Sequence, residues 1–188
     1  MGKETVEIQL KLIERAREGD QQSMYRLYKL YVQAMYNTCI RMVVNQYDAE
    51  DIIQESFVSA FKNIGSYRGD SSFGSWLKRI VINKSISFLR TKKHEFTDID
   101  HLHIVDEDNY DDDLPEIEPE KVHEAIKALP EKARIVLSMH LLEGFKHREI
   151  AQMLGITEST SKSQYQRAKV LLREKIINEM KHENRGIY

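Results

Sequence analysis

Ser159, Lys162, Ser163 and Gln166 recur at helical spacing along the stretch TESTSKSQYQRAKVLL, so one face of a single helix carries all four. Short hydroxyl, amide and ammonium groups near a helix N-terminus are the side chains that base edges in a major groove accept. Thr157 is placed to cap that helix, and Arg167 and Lys169 to meet phosphates. The residues just before complete a helix-turn-helix: HREIAQML, with Ile150, Ala151 and Leu154 inward, then a turn at Gly155. Ser161, Tyr165, Ala168 and Leu172 share the other face of the second helix, the side that must pack.

A second concentration of chemistry lies between Tyr67 and Lys93. The loop SYRGDSSF leads into GSWLKRIVINKSISFLRTKK, where Trp76, Arg79, Asn83, Ser87 and Arg90 form one stripe and Leu77, Ile80, Val81 and Phe88 another. Aromatic rings, an amide and a run of cations (Arg68, Lys78, Arg79, Lys84, Lys92, Lys93) are what an unpaired nucleic-acid strand needs for stacking and phosphate contact. Trp76 and Phe73 are equally suited to a core. Upstream, Asp51, Gln54 and Glu55 fall at i, i+3 and i+4 on AEDIIQESFVSAFKNI, so one helical face presents all three.

Helices must position these groups. LIERAREGDQQSMYRLYKLY has apolar residues at helical spacing with a break at Gly19-Asp20, and a helix with Met35, Thr38, Cys39 and Met42 on one face continues to about Asn45. Asp48 is expected to cap the next helix, and Gly65 to follow its end. The following helix is expected to begin near Gly74 or Ser75. Past residue 119 the segments KVHEAIKAL, EKARIVLSMHLLEG, HREIAQML and the final long one are all amphipathic, with Pro130 in the first turn of its helix and Gly144 and Gly155 at C-terminal ends. The expected fold is all-α: two small helical domains, 1–93 and 120–188, joined by an acidic linker at 94–119.

Charge sharpens that division. The net charge of −2 conceals 12 Asp/Glu and no Lys/Arg within residues 94–120. Residues 1–93 carry 15 basic against 10 acidic side chains, and residues 121–188 carry 13 against 8. Two basic blocks therefore flank an acidic strap of the kind that usually lacks a core. The single Cys39 excludes an internal disulfide framework and fits a small core residue. No long apolar run suggests a membrane span, MGKETVEIQL has no signal-peptide core, and Val6 breaks the myristoylation pattern after Gly2, so a cytoplasmic protein is expected.

On these residues the chain resembles the extracytoplasmic-function sigma factors of bacterial RNA polymerase. EIAQMLGITESTSKSQYQRAKVLLRE looks like their −35 recognition helix pair, and LPEKARIVLSMHLLEGFKHREIA like the helices before it. DAEDIIQESFVSAFKNI resembles the helix that docks on the polymerase clamp, and YRGDSSFGSWLKRIVINKSISFLR the segment that opens and reads the −10 element. The resemblance implies that Asp51, Gln54 and Glu55 contact the coiled coil of the largest polymerase subunit. It implies that Tyr67, Arg68, Phe73, Trp76 and Asn83 surround a flipped base of the −10 strand, with Lys78, Arg79 and Lys84 on phosphates. It further implies that Lys162, Ser163 and Gln166 read the −35 duplex, with Arg148 and Arg167 on its phosphates. Two residues depart from the pattern. Ser161 stands where an apolar residue is usual, which weakens packing of the reading helix, and Gln164 stands where an arginine is usual, which removes an anchoring charge.

The resemblance also implies core RNA polymerase and promoter DNA as partners, an anti-sigma protein as inhibitor, and a linker that threads toward the RNA exit path. No cofactor and no metal is implied. The seven histidines are scattered, with His101 and His103 in the acidic strap, and no phosphate-binding glycine loop or nucleophile motif occurs, so an enzyme is not expected. A helix-turn-helix regulator without initiating activity is the main rival. It has no use for the first block.

Overall fold

The structure, a computed structural model, describes residues 3–92 and 118–185, with side chains over 7–92 and 118–178. Lys93, His101, His103 and the strap up to residue 117 lie outside the described residues. The chain divides into two units, residues 1–94 and 95–188. Among the described residues every regular element is helical. None of the described helices is long and apolar enough to cross a membrane.

Four helices build the first unit: α1 (Lys3–Arg17), α2 (Gln21–Val43), α3 (Gln46–Lys62) and α4 (Phe73–Lys92), with a single 3₁₀ turn at Ile64–Ser66. Asp20 starts α2 by accepting from the backbone N–H of Gln22 and Ser23 at 3.3 and 3.2 Å. Its carboxyl is held below the usual range, chiefly by the Ser23 hydroxyl. Helices α2, α3 and α4 pack on one another around Leu27, Met35, Met42, Phe57, Leu77, Val81 and Ile82, all buried. Cys39 is wholly buried; its Sγ lies 3.4 Å from Ser85 Oγ, and desolvation raises its pKa to about 11. It is a core residue, as its place on the apolar face of α2 suggested.

The turn from α2 to α3 corrects one expectation. Asn45, not Asp48, caps α3, its Oδ1 accepting from Asp48 N at 3.1 Å. Asp48 sits in the first turn, where its charge favours the positive end of the helix dipole. Val44, just before, adopts φ 68° and ψ −42° with Asn45 N donating to Val43 O at 2.8 Å. That is a γ-turn with a β-branched residue in the left-handed region, a strained arrangement.

In the second unit, α5 (Pro119–Lys127) and α6 (Glu131–Leu137) precede a π-helical turn at Ser138–Leu142, then α7 (His147–Leu154) and α8 (Glu158–Arg185). Ile126, Leu129, Ala133, Leu137 and Ala168 form a core cluster, with Val122, Tyr165, Leu171 and Leu172 packed against it. Pro130 is the N-cap of α6, one residue ahead of its expected place. Arg134 is buried and donates to the carbonyls of Leu129 at 3.0 Å and Lys127 at 3.4 Å, closing the end of α5. The π turn, which no sequence period announced, interrupts the apolar run of EKARIVLSMHLL and leaves Leu141 and Leu142 exposed.

Candidate nucleic-acid interface

The charged face of α3 follows from its buried one. Ile52, Ile53, Ser56, Phe57 and Ala60 turn inward, which leaves Asp51, Gln54 and Glu55 in solvent. Beside them, Val58 is 53% exposed. A shallow groove runs along this face, lined by Gln54, Glu55, Val58, Ser59, Lys62, Asn63 and, from α4, Lys84. Lys84 Nζ donates to Glu55 Oε2 at 3.2 Å, and Lys92 Nζ to Asp48 Oδ2 at 2.5 Å. Both cations, expected from the sequence to serve phosphates, are here tied to carboxylates of α3.

The loop between α3 and α4 is folded over an aromatic cluster. Tyr67, Phe73 and Trp76 lie with ring centroids 5.4 to 5.5 Å apart, and Phe73 also meets Tyr31 of α2 at 5.4 Å. Tyr67 Oη donates to the Ser71 carbonyl at 2.7 Å, which closes the loop on itself. Arg17 at the end of α1 donates to the Tyr67 carbonyl and lies 5.9 Å from its ring centroid. Ser72 Oγ accepts from Ser75 N at 3.2 Å, starting α4 one residue earlier than expected, at Phe73. Gly74 lies so close to Tyr31 that a Cβ there would sit 2.9 Å from its Cε1, so a larger residue would have to displace the Tyr31 ring.

This arrangement separates the residues that the sequence grouped. Tyr67 and Phe73 are only 7% and 3% exposed, so in this structure their faces pack on neighbours and are not open for stacking. Trp76 is half-buried, while Arg68, Arg79 and Asn83 are exposed and Lys78 is half-buried. On α4 the stripe carrying Arg79, Asn83, Ser87 and Arg90 faces solvent, and Leu77, Val81, Ser85 and Leu89 face the core. Arg17 is the residue that sequence reasoning missed. No periodicity links it to position 67.

In the second unit, the caps set the helix-turn-helix. Gly155 takes φ 70°, and Ile156 N donates to Ala151 O at 3.0 Å, ending α7. Thr157 Oγ1 accepts from Thr160 N at 3.0 Å and so begins α8, as expected of it. On α8, Ser159, Lys162, Ser163 and Lys169 are exposed, and Gln166 and Arg167 are half-buried; Arg148, on α7, is exposed. Lys162 Nζ pairs with Glu158 at 2.9 Å, and this contact holds the Glu158 carboxyl below its usual range. Lys169 lies 5.5 Å from the Tyr165 ring centroid. Ser161 is wholly buried and is hydrogen-bonded to His147, so the expected loss of packing at this position is met by a polar contact. Gln164 is half-buried with its Oε1 lacking a hydrogen-bond partner. Among the described residues no cluster of three or more metal-ligating side chains occurs.

Two family models match these same segments: Sigma-70 region 2 over residues 27–95, and Sigma-70, region 4 over residues 120–172. The RNA polymerase sigma-H factor of Pseudomonas aeruginosa is 31% identical over 178 residues, 88% of this chain and 92% of that protein. The ECF RNA polymerase sigma factor SigW of Bacillus subtilis is 30% identical over 178 residues, 88% and 95% of the two chains. Among solved structures, the sigma factor RpoE from Bartonella quintana, in complex with the anti-sigma factor NepR, aligns with TM-score 0.55 at 22% identity, over 81% of this chain and 95% of that one. CnrH, in complex with the cytosolic domain of CnrY, aligns with TM-score 0.53 at 19% identity, over 89% and 96%. At those identities the structural likeness concerns the fold.

Proposed function

We propose how the two units divide promoter recognition, given that the chain belongs to the extracytoplasmic-function sigma factors, which bind core RNA polymerase and direct promoter-specific initiation. Such proteins are initiation factors without a reaction of their own. The first unit docks on polymerase through Asp51, Gln54 and Glu55 and holds the melted −10 strand along α4. The observation that carries this reading is the pair of solvent faces on adjacent helices, α3 acidic and α4 basic. Asn83 and Trp76 meet the displaced base, Arg68, Lys78 and Arg79 meet phosphates, and Tyr67 and Phe73 support the loop from beneath. Lys84 serves both partners: it steadies Glu55 and adds positive charge to the strand path.

The second unit reads the −35 duplex with Ser159, Lys162, Ser163 and Gln166, while Arg148, Arg167 and Lys169 position it on phosphates and Thr157 fixes the helix start. The acidic stretch 94–119 joins the domains 1–93 and 120–188, and its charge suits a basic channel made for nucleic acid. An inhibitory anti-sigma protein and a cytoplasmic site of action complete the reading. The test separates docking from opening. Asn83→Ala is expected to leave core binding unchanged and to cut strand opening by about tenfold, the scale of one lost hydrogen bond to a held base. Equal loss of both, or of neither, would remove the assignment of α4.

A further inference from the structure

Behind the reading face of α8 lies a polar group that the contacts above do not use. Ser161 is 0% exposed, and its Oγ is 3.0 Å from His147 Nδ1 on α7. The His147 ring stacks on His140 of the π turn, with centroids 4.1 Å apart and planes at 23°. Tyr165, one turn along α8 from Ser161, meets both rings edge-on at 4.6 and 5.6 Å. His140 Nδ1 donates to the Phe145 carbonyl at 2.8 Å, which fixes that ring in its plane. The result is a chain of directed contacts from the π turn through α7 into α8.

An apolar residue at position 161 would fill the space without specifying how α8 is rotated on α7. A hydrogen bond between a buried hydroxyl and a half-buried ring is directional, and leaving the Ser161 hydroxyl unpaired costs stability, so only a narrow range of rotation satisfies it. Ser161 immediately precedes Lys162 and Ser163. A small rotation about the α8 axis moves these two side chains together relative to a base edge.

We propose that His147 and Ser161 are a positioning pair that sets the rotation of α8 against α7 and thereby aims Lys162, Ser163 and Gln166, with His140 and Tyr165 holding the His147 ring. The proposal rests on α8 being the −35 reading helix. Its test uses the full chain with core polymerase, on promoters obtained by mapping starts with the unaltered protein, each with an intact or a scrambled −35 element. The readout is the ratio of transcription from the two templates, alongside the melting temperature. Ser161→Ala removes the hydroxyl with little other change in volume and is expected to melt close to the parent, yet to lower the ratio by about threefold to tenfold. His147→Leu should lower it by the same factor, and the double variant by no more than either single change. His147→Asn, whose amide can occupy the place of Nδ1, should retain most of the ratio. An unchanged ratio in Ser161→Ala, or losses in the two single variants that multiply in the double, would overturn the positioning pair. If Ser161→Ala does not fold, the contrast between His147→Asn and His147→Leu decides the same point. A parent protein indifferent to the −35 element would instead overturn the reading of α8, and the positioning pair with it.

Discussion

The two units present nucleic-acid chemistry in opposite ways. In the second, the candidate contacts, Arg148 of α7 aside, stand on one helix whose start is fixed by Thr157 and whose back is held by Ser161 and Ala168. In the first, they run along α4 from a loop and a helix start that are shaped by buried rings and by a distant arginine, Arg17. A duplex groove has a regular surface that a preformed helix can fit. A single strand must be pulled from its stack, and the surface that holds it needs support beneath the contacts as well as the contacts themselves. Reading the duplex is a matter of aiming side chains; capturing the strand is a matter of holding a loop in shape.

This contrast can be broken at several points. The largest effect is expected from turning the α3 face positive: Gln54→Lys, which adds a charge, with Glu55→Lys, which reverses one, should weaken core polymerase binding by roughly 2–5 kcal/mol, as loss of paired interfacial charges does. Because both side chains are exposed and the Lys84–Glu55 bridge is a surface pair, the melting temperature should barely move. Unchanged affinity in a binding titration would remove the docking face. Next in size, Lys162→Ala should cost about 1–3 kcal/mol on −35 duplex and much less on unrelated DNA. An equal loss on both would make Lys162 a phosphate contact. Val44→Gly should stabilise the first unit by about 1 kcal/mol, because glycine accepts a positive φ that valine resists. A chemical denaturation midpoint that stays or falls would show that the turn is not strained.

The smallest predicted effect follows from pH. Burial lowers the pKa of His147 first, then His140 and Lys162, while Glu158 pulls it upward; Tyr165 packs on the ring and Arg148 neighbours it. The fold thus favours the neutral ring. Its contribution is complete above an unfolded pKa of about 6.5 and is lost as pH falls below that value through the lowered folded pKa. The full chain should melt lower at acid pH, and His147→Asn should show a smaller drop than the parent. Identical drops would exclude His147 as a source.

Much of this molecule was legible in its residues. The apolar stripes of α2, α4 and α8 carry the buried side chains Met35, Cys39, Met42, Leu77, Val81 and Ala168, and Gly155 and Thr157 punctuate the helix-turn-helix as their types require. What was not legible depends on contacts far apart in sequence. Tyr67 and Phe73 have the types of stacking residues, but Tyr31 and Arg17 cover them, and nothing near position 67 signals either partner. Lys84 reads as a phosphate contact until Glu55, 29 residues earlier, is found beside it. Ser161 reads as a packing defect until His147 is placed 3.0 Å away. Asn45 displaced Asp48 as a cap because both types suit the position and only the backbone decides.

The account turns on two units that recognise two promoter elements for one polymerase. Transcription of sheared genomic DNA by core polymerase with and without the chain, with RNA 5′ ends mapped, tests this most directly. The account predicts new starts that share two upstream motifs, the distal one lost from the pattern when Lys162 is replaced and the proximal one when Asn83 is replaced. New starts sharing only one motif, or the same two motifs whichever residue is replaced, would contradict it.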